Sequence, residues 1–197
     1  PNHSFFLKEA LQETVPTFDP VYLKNIYNNW CAKGVFKFPD MHNHSRFHTA
    51  DFSDLIELYN LNVGKPTRIA FKLNQKVLGP SNLEKTNVSL ACSVFDETTV
   101  SAANSITFLM GTDNFLELII ELWTIWNIRS CTKGYHLRMP NANPIQPNDR
   151  RISLLREFAV FFENWNRSKS PGLSKQTFLA VTSCCRVLTE LSEFLFE

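Results

Sequence analysis

The sequence predicts a mainly α-helical domain, because its apolar residues recur with a helical period, strand signals are few, and its composition is that of a globular protein. Of its 197 residues, 44% are hydrophobic and 20% are charged, which suits a chain with one sizeable core. In four long segments, apolar side chains recur every three or four residues, the spacing that places them on one helix face. We therefore expect helices at residues 83–102, 115–126, 152–165 and 174–195.

Local signals define the ends of several helices. Gly111 is a typical helix end, so Thr112 after it is predicted to be the N-cap of the next helix. Ser174 is predicted to cap the last helix. Shorter helices are expected at residues 20–33, with a proline at an early position, and at residues 51–60.

The remaining segments are a weaker helical pattern, a strand and a loop. The weaker helical pattern is at residues 4–13, and the best strand candidate is residues 35–38. Residues 135–149 are rich in Pro, Asn and Asp and are expected to form a loop. The helices should share one core, in which these residues are buried together: Phe115, Leu118, Leu122, Phe158, Phe162, Val181 and Leu188.

Composition restricts the class of protein. A formal net charge of +1 is not the strongly basic balance of a dedicated DNA-binding domain. No apolar run approaches the roughly 18 residues that span a bilayer. The five cysteines form no CxxC pair, which favours reduced thiols in the cytosol or nucleus over a disulfide framework. They are Cys31, Cys92, Cys131, Cys184 and Cys185.

Two groups of residues contain side chains that often bind metals or act in catalysis. His42, His44 and His48 lie close together in the sequence, and neutral imidazole is the commonest metal ligand, so the cluster could bind zinc. They fall in a polar segment without an HExxH or CxxC pattern, so we favour a solvated loop. Cys184 and Cys185 could supply a nucleophile, but neighbouring helical residues point to different faces and cysteine is often buried. A role in the core is the preferred interpretation.

Four segments, in this order along the chain, resemble P-element-type DNA transposases and their THAP-type relatives. Residues 18–29, FDPVYLKNIYNN, are similar to the family pattern D-x-P-H-L-[IL]-K-N-x-R-N-N. Residues 71–74, FKLN, resemble F-K-[IL]-[NT], and NVSLACSVFD within 83–102 resembles K-V-K-L-A-x-Q-[LV]-F-S. Residues 112–127 are similar to T-A-x-F-x-x-L-x-x-x-[WL]-F-D-I-[FL]-N, and residues 173–197 to a leucine-rich family helix. Together these segments cover most of the chain.

The resemblance implies a helical domain that is inserted into an RNase H-like nuclease. In active relatives this inserted domain binds GTP without a P-loop. Residues 1–38 would then be an edge of the nuclease fold and residues 39–197 one compact insertion domain. The parent would be a longer nuclear protein that contacts DNA through its other parts. Protein partners connected with chromatin or transcription are expected, and no membrane.

The resemblance assigns seven positions to the GTP site: Lys72, Asn87, Val88, Asp96, Trp123, Thr124 and Asn127. Four of them depart from the family. Asn87 replaces a lysine, and Asp96 replaces a serine. Thr124 replaces the aspartate that recognises the base, and Trp123 before it replaces a phenylalanine. A carboxylate near the phosphates costs roughly 1–4 kcal/mol, and a lost charge-assisted contact roughly 1.5–3 kcal/mol.

The catalytic aspartate of the family aligns with Phe18, so Asp19, one position later, is the candidate catalytic acid. Our leading hypothesis is a helical scaffold or protein-interaction domain from a domesticated transposase, with a degenerate GTP site, no cofactor and no enzymatic activity of its own. The alternative is the GTP-binding insertion domain of an active DNA transposase, with GTP and Mg²⁺ as cofactors.

Overall fold

The computed structural model describes residues 19–106, 109–126 and 146–196, and within these ranges the chain is mainly helical, as predicted. The helix expected at residues 4–13 and most of the loop expected at 135–149 lie outside the described residues. The elements in order are α1 (Pro20–Lys33), β1 (Val35–Pro39), β2 (Phe47–Asp51), α2 (Phe52–Val63), α3 (Gln75–Leu78), a 3₁₀ turn (Glu84–Thr86), α4 (Val88–Val94), α5 (Glu97–Asn104), α6 (Met110–Trp126), α7 (Arg150–Ser168) and α8 (Lys175–Phe196).

Helix α1 has the predicted limits because both of its ends are encoded locally. The carboxylate of Asp19 accepts a hydrogen bond from the amide of Val21 at 2.9 Å, and Pro20 occupies the first turn. Gly34 ends the helix with a φ of 75°, a conformation that glycine adopts without steric cost, and its amide donates to the Trp30 carbonyl. The predicted helix at residues 20–33 is confirmed.

Strands β1 and β2 form an antiparallel hairpin in which Val35 pairs with Asp51 and Pro39 with Phe47. The strand signal at residues 35–38 is confirmed. Strand β2 was not predicted, since only Ala50 of its residues is buried and no alternating apolar pattern marks it. Helix α2 follows directly, and Asp51 is its N-cap rather than its first residue.

The prediction of one continuous helix at residues 83–102 is wrong. The segment is divided into a 3₁₀ turn, α4 and α5, because two polar side chains inside it act as N-caps. Asn87 accepts a hydrogen bond from the amide of Ser89 at 2.9 Å, and Asp96 accepts one from the amide of Thr98 at 3.1 Å. Short Asn and Asp side chains compete in this way with the helical ladder and restart the helix.

The prediction that Thr112 is an N-cap is also wrong. Helix α6 begins at Met110, so Gly111 and Thr112 both lie inside it. Gly111 is required by a close approach, since a Cβ there would lie 1.9 Å from the carbonyl oxygen of Thr49. The hydroxyl of Thr112 donates to the carboxylate of Asp54 and accepts from the amide of Asp51 at 3.1 Å. These bonds fasten α6 to the start of α2.

The core is built on aromatic rings, and Phe115 is at its centre. Its ring lies 4.9 Å from that of Trp30 and 6.2 Å from that of Trp165, measured between centroids. The rings of Phe36, Phe38 and Phe95 surround it as well. Six of the seven predicted core residues are buried; they are Phe115, Leu122, Phe158, Phe162, Val181 and Leu188. Leu118 is only partly buried against this core.

The loop between α7 and α8 is joined to β1 through both backbone groups of Lys37. Its amide donates to the Pro171 carbonyl at 2.7 Å. Its carbonyl accepts from Ser170 Oγ at 2.6 Å and from Trp165 Nε1 at 2.9 Å. The carboxyl-terminal helices and the amino-terminal hairpin therefore share one core. The division into residues 1–38 and 39–197 stays a prediction, and the described part of the first segment contributes to this same core.

Candidate functional site

Two of the seven positions assigned to a GTP site are in direct contact. The ammonium group of Lys72, just before α3, forms an ion pair with Oδ2 of Asp96, which caps α5. The other carboxylate oxygen accepts from the amide and hydroxyl of Thr98, at 3.1 and 2.6 Å. Burial raises the pKa of Asp96, but the hydrogen bonds from Lys72 and Thr98 outweigh it and lower the pKa below its usual range.

Asn87 and Val88 lie at the start of α4, where both have structural roles. The side chain of Asn87 caps the helix by accepting from the amide of Ser89. Val88 is the first helical residue and is half-buried. Since the Asn87 amide oxygen is engaged in the cap, a change at this position removes a helix cap as well as altering the surface.

Trp123 and Thr124 lie near the end of α6. Trp123 is partly buried against the core, and the hydroxyl of Thr124 donates to the carbonyl of Glu121 at 3.1 Å. Asn127 lies outside the described residues. In the described ranges, no hydrogen bond, ion pair or ring contact links these two α6 residues to Lys72 or Asp96. Convergence of all seven positions on one pocket stays a prediction.

Asp19, the candidate catalytic acid, is the N-cap of α1. It lies near Tyr22 and Cys184; burial, then Cys184 and Asp19, raise the pKa of the Tyr22 hydroxyl. No group of three or more His, Cys, Asp or Glu residues that could hold a metal ion occurs in the part of the chain that the structure describes. The observed role of Asp19 is to begin a helix.

The three clustered histidines have different environments. His42 and His44 are exposed, whereas His48 on β2 is half-buried. Its Nε2 lies 2.9 Å from Oδ2 of Asp40, and its Nδ1 lies 3.4 Å from the side-chain amide of Asn114 on α6. The pair of Asp40 and His48 therefore ties the two ends of the hairpin loop to α6. Sequence reasoning missed this pair because it depends on β2, which brings the two side chains together across the hairpin.

The charge of Asp40 is predicted to stabilise the hairpin. The hydrogen bonds from His48 and from the amide of His42 lower the pKa of the Asp40 carboxyl to about 2. A carboxyl whose pKa is lowered on folding stabilises the native state above its unfolded pKa of about 3.9, and loses that contribution as the pH falls towards 2.

We expect Asp40→Asn to reduce the free energy of unfolding by about 1–2 kcal/mol at pH 7, because the shift corresponds to about 2 kcal/mol and partial exposure weakens it. The difference from the wild type should shrink steadily in urea titrations between pH 4 and pH 2. The exposed Glu157→Gln on α7 is the control and should match the wild type throughout. Equal stability of Asp40→Asn and wild type at pH 7 would contradict the assignment.

The four described cysteines form no disulfide, and burial makes three of them, Cys31, Cys184 and Cys185, poor nucleophiles. Cys185 is fully buried in the core and Cys184 is half-buried. Burial raises the pKa of the Cys184 thiol to about 11, and it raises the pKa values of Cys185 and Cys31 as well. Because the thiolate is the reactive form, these cysteines are inert at neutral pH. The interpretation of Cys185 as a core residue is confirmed.

Two open grooves lie along the α7–α8 pair, with volumes of about 560 and 300 Å³. Arg156 and Glu193 line both and form an ion pair, and the smaller groove also contains the pair of Arg186 and Glu163. Each charge in these pairs has a partner within the protein. None of the six described positions assigned to the GTP site lines either groove.

No protein-family model, curated protein or solved structure matches this chain. Among the described helices, none combines the length and the apolar composition that crossing a bilayer requires.

Proposed function

We propose that the chain is a helical scaffold or protein-interaction domain derived from a P-element-type transposase, and that its GTP site is degenerate. The proposal rests on the resemblance of four sequence segments to that family and on one structural observation. The cation of Lys72, a position that the resemblance assigns to the nucleotide, is paired with the carboxylate of Asp96, a second such position.

This ion pair opposes nucleotide binding in two ways. The carboxylate of Asp96 accepts from the ammonium group of Lys72 and from the amide of Thr98 at the start of α5. These are the kinds of donor that bind a phosphate. A phosphate approaching Lys72 would also meet the negative charge of Asp96, at a cost of roughly 1–4 kcal/mol.

The wild-type protein is predicted to show no saturable GTP binding in calorimetry at concentrations below about 1 mM. A Kd of about 1 mM corresponds to a binding free energy of about 4 kcal/mol. The triple variant Asn87→Lys, Asp96→Ser, Thr124→Asp should gain weak binding and prefer GTP to ATP. The changes add a cation, remove the anion beside Lys72, and supply a carboxylate that can accept two hydrogen bonds from guanine. Serine also caps helices, so α5 keeps an N-cap.

Two further variants make this test sharper. Asp96→Ser alone frees Lys72 and should bind inorganic triphosphate more strongly than the wild type does, without base preference. Adding Lys72→Ala to the triple variant should abolish the gain. Submicromolar binding of GTP by the wild type would reverse the proposal and favour the alternative, the insertion domain of an active transposase that uses GTP with Mg²⁺.

The proposal also covers the location of the protein in the cell and its partners. We infer a nuclear parent protein that contacts DNA through other domains, while this domain contacts protein partners connected with chromatin or transcription. The support is the resemblance and the composition, since the 20 Lys and Arg residues are nearly balanced by 19 Asp and Glu residues and leave almost no excess of cations for phosphate contacts.

A further inference from the structure

Three runs of 26 or 27 residues contain no acidic side chain, namely 58–83, 122–148 and 164–189, and the first of them also has several exposed apolar side chains within a short stretch. The chain has 19 acidic residues, yet none falls between Glu57 and Glu84. This stretch contains the cations Lys65, Arg68, Lys72 and Lys76. It runs from the second half of α2 through the following loop and α3 to the 3₁₀ turn. We call the exposed part formed by residues 61–76 the acid-free surface.

The acid-free surface is also rich in exposed apolar side chains. Phe71 is 58% exposed and Val63 is 52% exposed, and Leu61 and Ile69 are exposed to a lesser degree. Soluble proteins bury most such side chains, and several together, bordered by polar groups, indicate a site of contact with another molecule. Aromatic side chains such as that of Phe71 are typical anchors at protein interfaces.

The surface has an ordered framework beneath it. The guanidinium of Arg68 lies 4.9 Å above the ring of Tyr59, which holds the loop against α2, and it donates to the carbonyl of Leu73. Ala70 and Leu73 are fully buried and anchor the loop to the core, so Ile69 and Phe71 on either side of Ala70 face solvent. Because these contacts order the loop before a partner binds, less conformational entropy of the loop is lost on binding.

The charges determine which occupant fits. Lys72 is paired with Asp96, while Lys65 and Lys76 are exposed and form no ion pair in the described part of the chain. These cations favour a partner of opposite charge, whereas a second copy of this surface would bring like charges together. Nucleic acid fits less well, because Phe71 is the single aromatic residue among 61–76, and the aliphatic side chains of Leu61 and Ile69 offer no stacking surface for further bases.

From this pattern, we propose that the acid-free surface binds an acidic amphipathic segment of a partner protein, whose apolar side chains contact Phe71 and Ile69 and whose carboxylates pair with Lys65 and Lys76. This proposal names the binding surface of the protein-interaction domain proposed above and the chemical character of its partner, and it therefore rests on that proposed function. An α-helix with apolar residues on one face and carboxylates at its borders meets these requirements.

The test uses a fluorescein-labelled peptide of about 16 residues, with Phe and Leu at positions i, i+3, i+4 and i+7 and with Asp or Glu at the others. Fluorescence anisotropy should show saturable binding to the wild type. Phe71→Ser should weaken binding at least about 10-fold. The double variant Lys65→Glu, Lys76→Glu should weaken it about 10-fold at low salt, and this effect should diminish in about 0.5 M NaCl because salt screens exposed charges.

Matched controls come from α8 and the loop before it, on another part of the surface. Leu179→Ser removes a side chain as exposed as Phe71, and Lys169→Glu with Lys175→Glu reverses two exposed cations. These variants should bind the peptide like the wild type. A peptide with Lys in place of each acidic residue should not bind, and circular dichroism should show that every variant is folded.

Several outcomes would overturn the proposal. The first is that the wild type does not bind the peptide. The second is that the control variants weaken peptide binding as much as the variants of the acid-free surface do. The third is that oligo-dT or phosphatidylserine vesicles bind more tightly than the peptide and that Phe71→Ser abolishes this binding. The first of these would leave the degenerate GTP site untouched, because that hypothesis depends only on the nucleotide titrations of Lys72 and Asp96 variants.

Discussion

Gly111→Ala is expected to destabilise the domain by at least about 3 kcal/mol. A Cβ at this position would lie 1.9 Å from the carbonyl oxygen of Thr49 and 3.0 Å from its carbonyl carbon. Both atoms belong to the backbone of β2, so no side-chain rotation can relieve the contact. In an unconstrained helix the same change would stabilise by about 1 kcal/mol, so the predicted sign is the reverse of the intrinsic helix propensity.

Helix α6 cannot move away from β2 without further loss. Thr112 is bonded to Asp51 and Asp54, and Phe115, one turn later, lies at the centre of the core. Urea unfolding followed by circular dichroism measures the effect. Gly64→Ala is the matched control, since a Cβ there meets nothing within 4 Å and its φ is −92°. Its stability should stay within about 0.5 kcal/mol of the wild type. A Gly111→Ala variant as stable as the wild type would mean that α6 and β2 do not approach in this way.

Gly111 also shows why sequence reasoning predicted some elements and missed others. Helices α7 and α8 were predicted from their apolar period, and α1 was predicted with Pro20 in its first turn, where the structure has it. A glycine before Thr112 has two local interpretations, a helix end or a close approach by another element. The choice between them depends on β2, which is distant in sequence.

The division of residues 83–102 has a different cause. The apolar period continues across Asn87 and Asp96, so it predicts a single helix. Asn and Asp residues can either cap a helix or be accommodated inside it. Here their side chains accept hydrogen bonds from backbone amides and act as caps. The prediction used the periodicity alone, which carries no information about where a cap restarts the helix.

The candidate site could be predicted only in part. The expectation that Asp96 is unfavourable for a bound nucleotide followed from its charge at a position that the resemblance assigns to the GTP site. Its pairing with Lys72, 24 positions away, depends on the packing of α3 against α4, which ends just before Asp96, and has no local signal. The acid-free surface illustrates the opposite case. Its charge pattern is visible in the sequence, but the exposure of Phe71 and the burial of Ala70 beside it required the structure.

Phe115→Ala is expected to have the second large effect, a loss of about 3–5 kcal/mol in the free energy of unfolding. The ring is fully buried among five other aromatic rings, so truncation removes its apolar burial and leaves a cavity in the most densely aromatic part of the core. In a domain of this size, such a loss should lower Tm by about 10 °C. Phe115→Leu, which fills part of the cavity, should cost about 1–2 kcal/mol.

Phe71→Ala is the matched control, because it removes the same ring from an exposed position. We expect its stability to stay within about 0.5 kcal/mol of the wild type, while its binding of the acidic amphipathic peptide should be as weak as that of Phe71→Ser. Phe115→Ala, measured at a temperature where it is still folded, should instead keep peptide binding. If Phe115→Ala unfolded at the wild-type temperature, the ring would not be at the centre of the core. If both variants lost stability equally, Phe71 would be a core residue and the acid-free surface would lose its anchor.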